Sequence, residues 1–191
     1  MKSAIHKKIV LIGASTGGPG QIQKILSSLP TLNNVSVVVA QHMVEGFLSS
    51  FASRLQHTTN NNVTIIQDKQ DFETASIYIA EAITSLNTQS LKFSKEDIQM
   101  HSYNPNIDTL FNSFTPLCNN VEILCVILTG IGSDGVDACK NLHSAGAICM
   151  TESESSAIVD GMPNRARTLI PKIEIYNIEE IIKKISEFCY V

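Results

Sequence analysis

The stretch Ile9-Val10-Leu11-Ile12-Gly13-Ala14-Ser15-Thr16-Gly17-Gly18-Pro19-Gly20, continued by residues 21–29, decides the fold. Residues 9–14 are a short, almost unbroken apolar run, the pattern of a strand buried on both faces. The glycines and Pro19 that follow mark a tight turn. Apolar side chains then recur at Ile22, Ile25, Leu26 and Leu29, the spacing of one helix face, and Pro30 closes the pattern. Buried strand, glycine turn and amphipathic helix together make the opening unit of a parallel α/β sheet.

Outward from this unit the same alternation continues. Residues 35–40 are almost continuously apolar and residues 123–128 are an unbroken apolar run, both strands, and residues 63–66, 77–80, 91–93, 147–150 and 173–176 are shorter ones. Helical spacing is read over residues 46–55, 106–117, 136–142 and 178–188, with Gly146 stopping the third of these. The polar run 58–62 is a loop, and no internal repeat is present. Strands without polar–apolar alternation, separated by helices, predict a doubly wound, mostly parallel sheet with helices on both faces, a Rossmann-like three-layer α/β architecture. At 191 residues the chain fits one domain, 1–191, large enough to bury a core without metals or disulfides.

Composition removes several classes of function. Hydrophobic residues are 43% and charged residues 17%, which excludes a disordered chain. Fourteen basic against 18 acidic side chains, a net charge of −4, leave no basic excess or stripe for nucleic acid. No apolar run nears the length of a membrane span. The basic N-terminus resembles a signal peptide in miniature, but its apolar part is short and runs straight into the glycine turn. Five cysteines (Cys118, Cys125, Cys139, Cys149, Cys189), odd in number and without a Cys-x-x-Cys pair, read as reduced thiols of a cytoplasmic protein. No His/Cys/Asp group has metal-ligand spacing, so no metal or other cofactor is expected.

In sheets of this kind chemistry gathers at the carboxyl ends of the strands. Ser15 follows the first strand, Gln41-His42-Met43 the second, and Thr129-Gly130-Ile131-Gly132-Ser133-Asp134-Gly135 the run at 123–128. A serine, a histidine and an acid thus stand at three strand ends, the groups a Ser–His–Asp relay needs. Residues 13–17 fit Gly-x-Ser-x-Gly, a turn that pushes a serine hydroxyl outward. The amides that follow, from Thr16 and Gly17 onward, suit an oxyanion. A phosphate cradle and a merely structural turn remain open for the same glycines, although neither Gly-x-Gly-x-x-Gly nor the P-loop pattern is met. Asp134 can also be read as a helix-capping acid, but at the strand end it is a better orienting acid than Asp137, which reads as solvent-facing. His6, His57, His101 and His143 read as surface or core residues. The order serine, histidine, acid excludes the α/β-hydrolase superfamily, which runs serine, acid, histidine, but not the chemistry.

Five ordered motifs carry a resemblance over about residues 8–188: Gly13-Ala14-Ser15-Thr16-Gly17-Gly18, Gln41-His42-Met43, Phe51-Ala52-Ser53-Arg54-Leu55, Leu128 to Gly135, and Gly161-Met162-Pro163. Together they resemble the catalytic domain of the chemotaxis protein-glutamate methylesterases, the CheB family. The resemblance implies a parallel α/β sheet and hydrolysis of glutamate methyl esters on cytoplasmic helices of methyl-accepting chemoreceptors. It also implies deamidation of receptor glutamines, as in many members. It assigns the catalytic roles to Ser15, His42 and Asp134, and an oxyanion amide to Ile131, where the family commonly has methionine.

Two departures bear on regulation and substrate contact. Only 14 residues precede Ser15, so no receiver domain is expected, and a separate regulatory protein is a candidate partner. Ala80-Glu81-Ala82-Ile83-Thr84 stands where the family usually has an Ala-Pro-rich turn leading to a histidine, and this loop is expected to border the substrate groove. The competing readings are a catalytically silent receptor-binding adaptor and a nucleotide-binding domain.

Overall fold

A computed structural model describes residues 8–44, 46–96 and 103–190. The basic N-terminal residues 1–7, His6 among them, and His101 lie outside the described residues. A seven-stranded sheet runs β3-β4-β2-β1-β7-β8-β9, and every pairing in it is parallel. Its strands are β1 (Lys8–Ala14), β2 (Val35–Gln41), β3 (Asn62–Ile65), β4 (Ser76–Ile79), β7 (Glu122–Ile127), β8 (Ile148–Glu152) and β9 (Glu174–Tyr176). Strands β5 (Ile83–Asn87) and β6 (Lys92–Glu96) form a separate antiparallel hairpin.

Alternate strand residues feed two cores. Val10, Ile12 and Ala14 face one, together with α1 (Gly18–Ser27), α2 (Leu48–Gln56) and α6 (Ile178–Cys189). Ile9, Leu11, Cys125 and Ile127 face the other, with α3 (Ile107–Asn112), α4 (Val136–Ser144), α5 (Met162–Leu169) and the hairpin. Burial on both faces is why β1, β2 and β7 read as continuous apolar runs. The three-layer α/β architecture expected from the sequence is the one observed.

Two local readings need correction, and one helix gives no signal in the sequence. The helix expected over 106–117 ends at Asn112, and a 3-10 turn, Thr115–Leu117, follows. Pro116 has no N–H to donate to Asn112, and its ring would press on that carbonyl. Ile83 and Thr84 are not loop but the start of β5, a strand hidden because its buried positions alternate as Thr84 and Leu86, one of them polar. Helix α5 has only Met162, Pro163 and Ala166 buried, too few apolar residues to show a periodicity.

Helix α6 is fixed at its start by a reciprocal cap. The Asn177 side chain accepts from the Glu180 amide at 2.9 Å, and the Glu180 carboxylate accepts from the Asn177 amide at 3.0 Å. Asn177→Ala should therefore lower stability by about 1 kcal/mol. An unchanged urea midpoint would contradict this role for the cap.

Candidate active site

The chain winds outward in opposite directions from the β1–β7 pair, since β2, β4 and β3 lie on one side and β8 and β9 on the other. Crevices at such a switch point open at the carboxyl ends of the strands. Ser15, Thr16, His42, Met43, Tyr103 and Ile131 are among the residues lining an open groove of about 440 Å³ there.

Ser15 is held by backbone on both sides. Its amide donates to the Thr129 carbonyl at 2.9 Å, and the His42 amide donates to the Ala14 carbonyl at 3.0 Å. Gly17 takes φ +88°, a conformation that side chains rarely adopt, and so turns the chain directly from strand into α1. Thr16 is exposed, and Ile131 is 63% exposed at the groove. Among the described residues, the amides of Thr16, Gly17 and Ile131 donate to no protein acceptor, so all three are available to a ligand oxygen.

His42 and Asp134 are tightly paired, with Nε2 and Oδ2 2.7 Å apart. Asp134 is buried and also accepts from the Ile107 amide at 2.8 Å and the Asp108 amide at 3.0 Å. An ionised carboxylate only accepts hydrogen bonds, and this one takes two backbone amides at the start of a helix. It is therefore an acceptor toward His42. That fixes the proton on Nε2 and leaves Nδ1 as the ring nitrogen free to act on Ser15. Among the described residues no hydrogen bond yet joins Ser15 Oγ to His42, and such bonds often tighten only with substrate in place. The Tyr103 ring stacks on the imidazole at 4.9 Å, with the planes 3° apart, and the His42 side chain is only 13% exposed.

The sequence pointed to Asp134 both as a capping acid and as the third member of a relay, and it stands both beside His42 and at the first amides of a helix. It caps α3 rather than the α4 that follows it. Asp108 returns the arrangement from α3, accepting from the Ala138 amide of α4 at 2.8 Å. Burial pushes the Asp108 carboxyl above its ordinary range, and the nearby Asp134 charge adds to the effect. Asp137 is exposed, as expected. His57 is exposed at the end of α2 and His143 is half-buried in the last turn of α4, and neither lines the groove.

Several supporting residues were not singled out from the sequence. Gln41 Nε2 donates to the carbonyls of both Ser15 and His42 at 2.8 Å and so ties the two strand ends together. Thr129 Oγ1 donates to the Thr16 carbonyl at 2.9 Å and accepts from the Val159 amide at 2.8 Å. Behind it the fully buried Glu152 accepts from the Thr129 amide, Gln21 and Ser156 at 3.0, 2.7 and 2.7 Å. The Gly161 and Met162 amides both donate to the Gly130 carbonyl, at 3.1 and 2.8 Å, which is what the Gly161-Met162-Pro163 motif does here. The loop after β4 stands one residue behind the groove, since the Ala82 amide donates to Asn104 Oδ1 at 3.0 Å and Asn104 lines the wall.

Gly130 lies directly against Ser15. A Cβ there would lie 2.6 Å from Ser15 Cβ and 2.4 Å from Met162 Sδ. The methionine end can swing aside, but Ser15 is fixed by its amide. Gly130→Ala should keep the fold yet lower turnover at least 100-fold, the usual penalty for a displacement of about 1 Å at a reacting group. Unchanged turnover would show that Ser15 has no such fixed position.

Fold and site together define a doubly wound α/β protein with a serine, a histidine and an aspartate at one carboxyl edge, a constellation of the hydrolase kind. A family model described as CheB methylesterase matches residues 10–185, and the chain belongs to that family. It is 36% identical over 191 residues to the protein-glutamate methylesterase/protein-glutamine glutaminase of Bacillus subtilis, covering 97% of this chain and 53% of the relative. The protein of the same description numbered 2 in Carboxydothermus hydrogenoformans is 33% identical, covering 95% of this chain and 53% of the relative. The chain thus spans about half the length of these curated relatives. The crystal structure of the Thermotoga maritima CheB methylesterase catalytic domain superposes with a TM-score of 0.82 at 27% identity, covering 96% of this chain and 99% of that one. Among the described residues no helix is long and apolar enough to cross a membrane.

Proposed function

We propose that this chain is a serine esterase that removes methyl groups from glutamate side chains of chemoreceptor cytoplasmic helices, acting in the cytoplasm, and that it deamidates receptor glutamines by the same route. The observation that carries the reading is the 2.7 Å His42–Asp134 pair beside Ser15 in one groove. In the proposed reaction Ser15 Oγ attacks the ester carbonyl while His42 Nδ1 takes its proton. Asp134 holds the tautomer and stabilises the imidazolium. The protonated ring then delivers its proton to departing methanol, and water attacks the acyl-enzyme in the same way. Amides of Thr16, Gly17 and Ile131 receive the developing oxyanion, each worth about 3 kcal/mol of barrier. Because Ile131 would act through its backbone, the isoleucine is tolerated there.

A protein substrate fits the surroundings of the groove. Val44 and Ile131 line it and are exposed, Ile158 packs against Gly17, and Phe47 stands exposed one turn from Val44. Exposed apolar side chains grouped in and around the cleft suit a docking helix better than a small soluble ester. Purified chain mixed with receptor cytoplasmic fragments carrying labelled methyl esters should release labelled methanol. Absence of release from a folded chain whose Ser15 still reacts with a fluorophosphonate would remove receptors as the substrate.

A further inference from the structure

We propose that Tyr103 is a positioning residue of the hydrolytic reaction: its ring face holds the His42 imidazole and stabilises the positive charge which that ring gains in the transition state. The inference deepens the esterase reading and rests on it.

Backbone bonds build the stack. Tyr103 belongs to no strand or helix, but its neighbour Asn104 is tied to two other segments. The Met43 amide, one residue past His42, donates to the Asn104 carbonyl at 2.9 Å. Asn104 Oδ1 accepts from the Ala82 amide at 3.0 Å, and the Asn106 amide donates to the Ala82 carbonyl at 3.1 Å. The segments carrying Tyr103 and His42 are therefore bonded directly to each other. Their ring centroids are 4.9 Å apart and the planes differ by 3°. The tyrosine hydroxyl extends to the opposite loop, where a Cβ on Gly132 would stand 3.5 Å from it.

The imidazole then has three approaches, each with its own task. Asp134 meets one edge at Nε2. Nδ1 is left for Ser15. Tyr103 covers a face. A neutral imidazole gains only a modest aromatic contact from such a face. When Ser15 Oγ bonds to the carbonyl carbon, its proton passes to Nδ1. The carbonyl oxygen takes the negative charge and the imidazole becomes a cation. A cation within about 6 Å of an aromatic face is attracted by the ring quadrupole, most strongly where water is excluded. The His42 side chain is only 13% exposed, so little water competes. The attraction is larger in the transition state than in the resting enzyme, and only such a difference raises turnover. Acylation and deacylation both pass through the imidazolium, so both gain. Leucine at this position would keep an apolar groove wall but offers no such face.

The test is the rate of fluorophosphonate labelling of Ser15 in the whole chain, where Oγ displaces fluoride and the same proton moves to His42. It needs no receptor. Tyr103→Leu should lower the maximal labelling rate about 10–30-fold. The concentration giving half that rate should change by less than about threefold. Tyr103→Phe keeps the ring face and should label within about threefold of the parent. Ring current should shift the carbon-bound protons of His42 upfield in the parent and in Tyr103→Phe, and the shift should vanish in Tyr103→Leu. The inference is overturned if Tyr103→Leu labels at the parent's rate, if Tyr103→Phe is as slow as Tyr103→Leu, or if the loss lies only in the half-maximal concentration. Each of these leaves the esterase reading standing. A parent that labels but releases no methanol from receptors loses its substrate assignment and keeps this inference. A folded parent that takes no label overturns both.

Discussion

Replacing Ser15 with alanine should lower ester hydrolysis by on the order of 10⁵–10⁶-fold, the loss seen when a nucleophile acting as part of a triad is removed. The fold should be untouched. Ser15 is held through backbone bonds to Thr129, Gln41 and Gly18 that alanine keeps, and its hydroxyl has no hydrogen-bond partner among the described residues. Substrate should still bind, because the groove walls are supplied by Tyr103, Ile131 and Val44. The expected signature is a collapse of kcat with KM little changed, read from methanol release. A fall of less than tenfold would mean that another group attacks the ester.

The second large effect belongs to Asp134→Asn. Asparagine offers one acceptor oxygen where the carboxylate offers two, and its amide nitrogen is a donor. Three donors now converge on that carboxylate, from His42 Nε2 and the amides of Ile107 and Asp108. An oxygen turned to His42 leaves the amide nitrogen facing the Asp108 N–H. An oxygen turned to the Asp108 amide leaves the nitrogen facing both Nε2 and the Ile107 N–H, and Nε2 must then become the bare nitrogen. The histidine then carries its proton on Nδ1, where Ser15 needs a base. We expect kcat to fall about 10⁴-fold and stability to fall by about 1–3 kcal/mol from the unpaired amide. Asp108→Asn makes a useful contrast. It disturbs the reciprocal α3–α4 cap without touching the tautomer, so stability should fall while kcat holds to within about tenfold of the parent. Equal losses of kcat in the two variants would reduce Asp134 to a helix cap.

How much of this could be read in advance depends on where each residue gets its role. Ser15, His42 and Asp134 were legible because a parallel sheet delivers whatever follows its strands to one edge, so position along the chain already implied position in space. The glycine turn was legible for the same reason, with Gly17 needing φ +88°. Gln41, Thr129 and Glu152 were not, since each acts through the direction of its side chain toward residues distant in sequence. Tyr103 sits in no strand or helix and meets His42 only when the segment before α3 folds over the groove. Strand β5 and helix α5 were missed because polar side chains occupy positions that a periodicity reading needs to be apolar.

The account rests on Ser15 being a nucleophile that His42 activates, and covalent labelling with a fluorophosphonate tests that most directly. The chain should gain one adduct, mapped by mass spectrometry to Ser15, and His42→Ala should abolish it in a protein that still unfolds cooperatively. A folded parent that binds receptor fragments but takes up no label, or that takes it up at another residue, would contradict the account and leave a binding protein in place of an esterase.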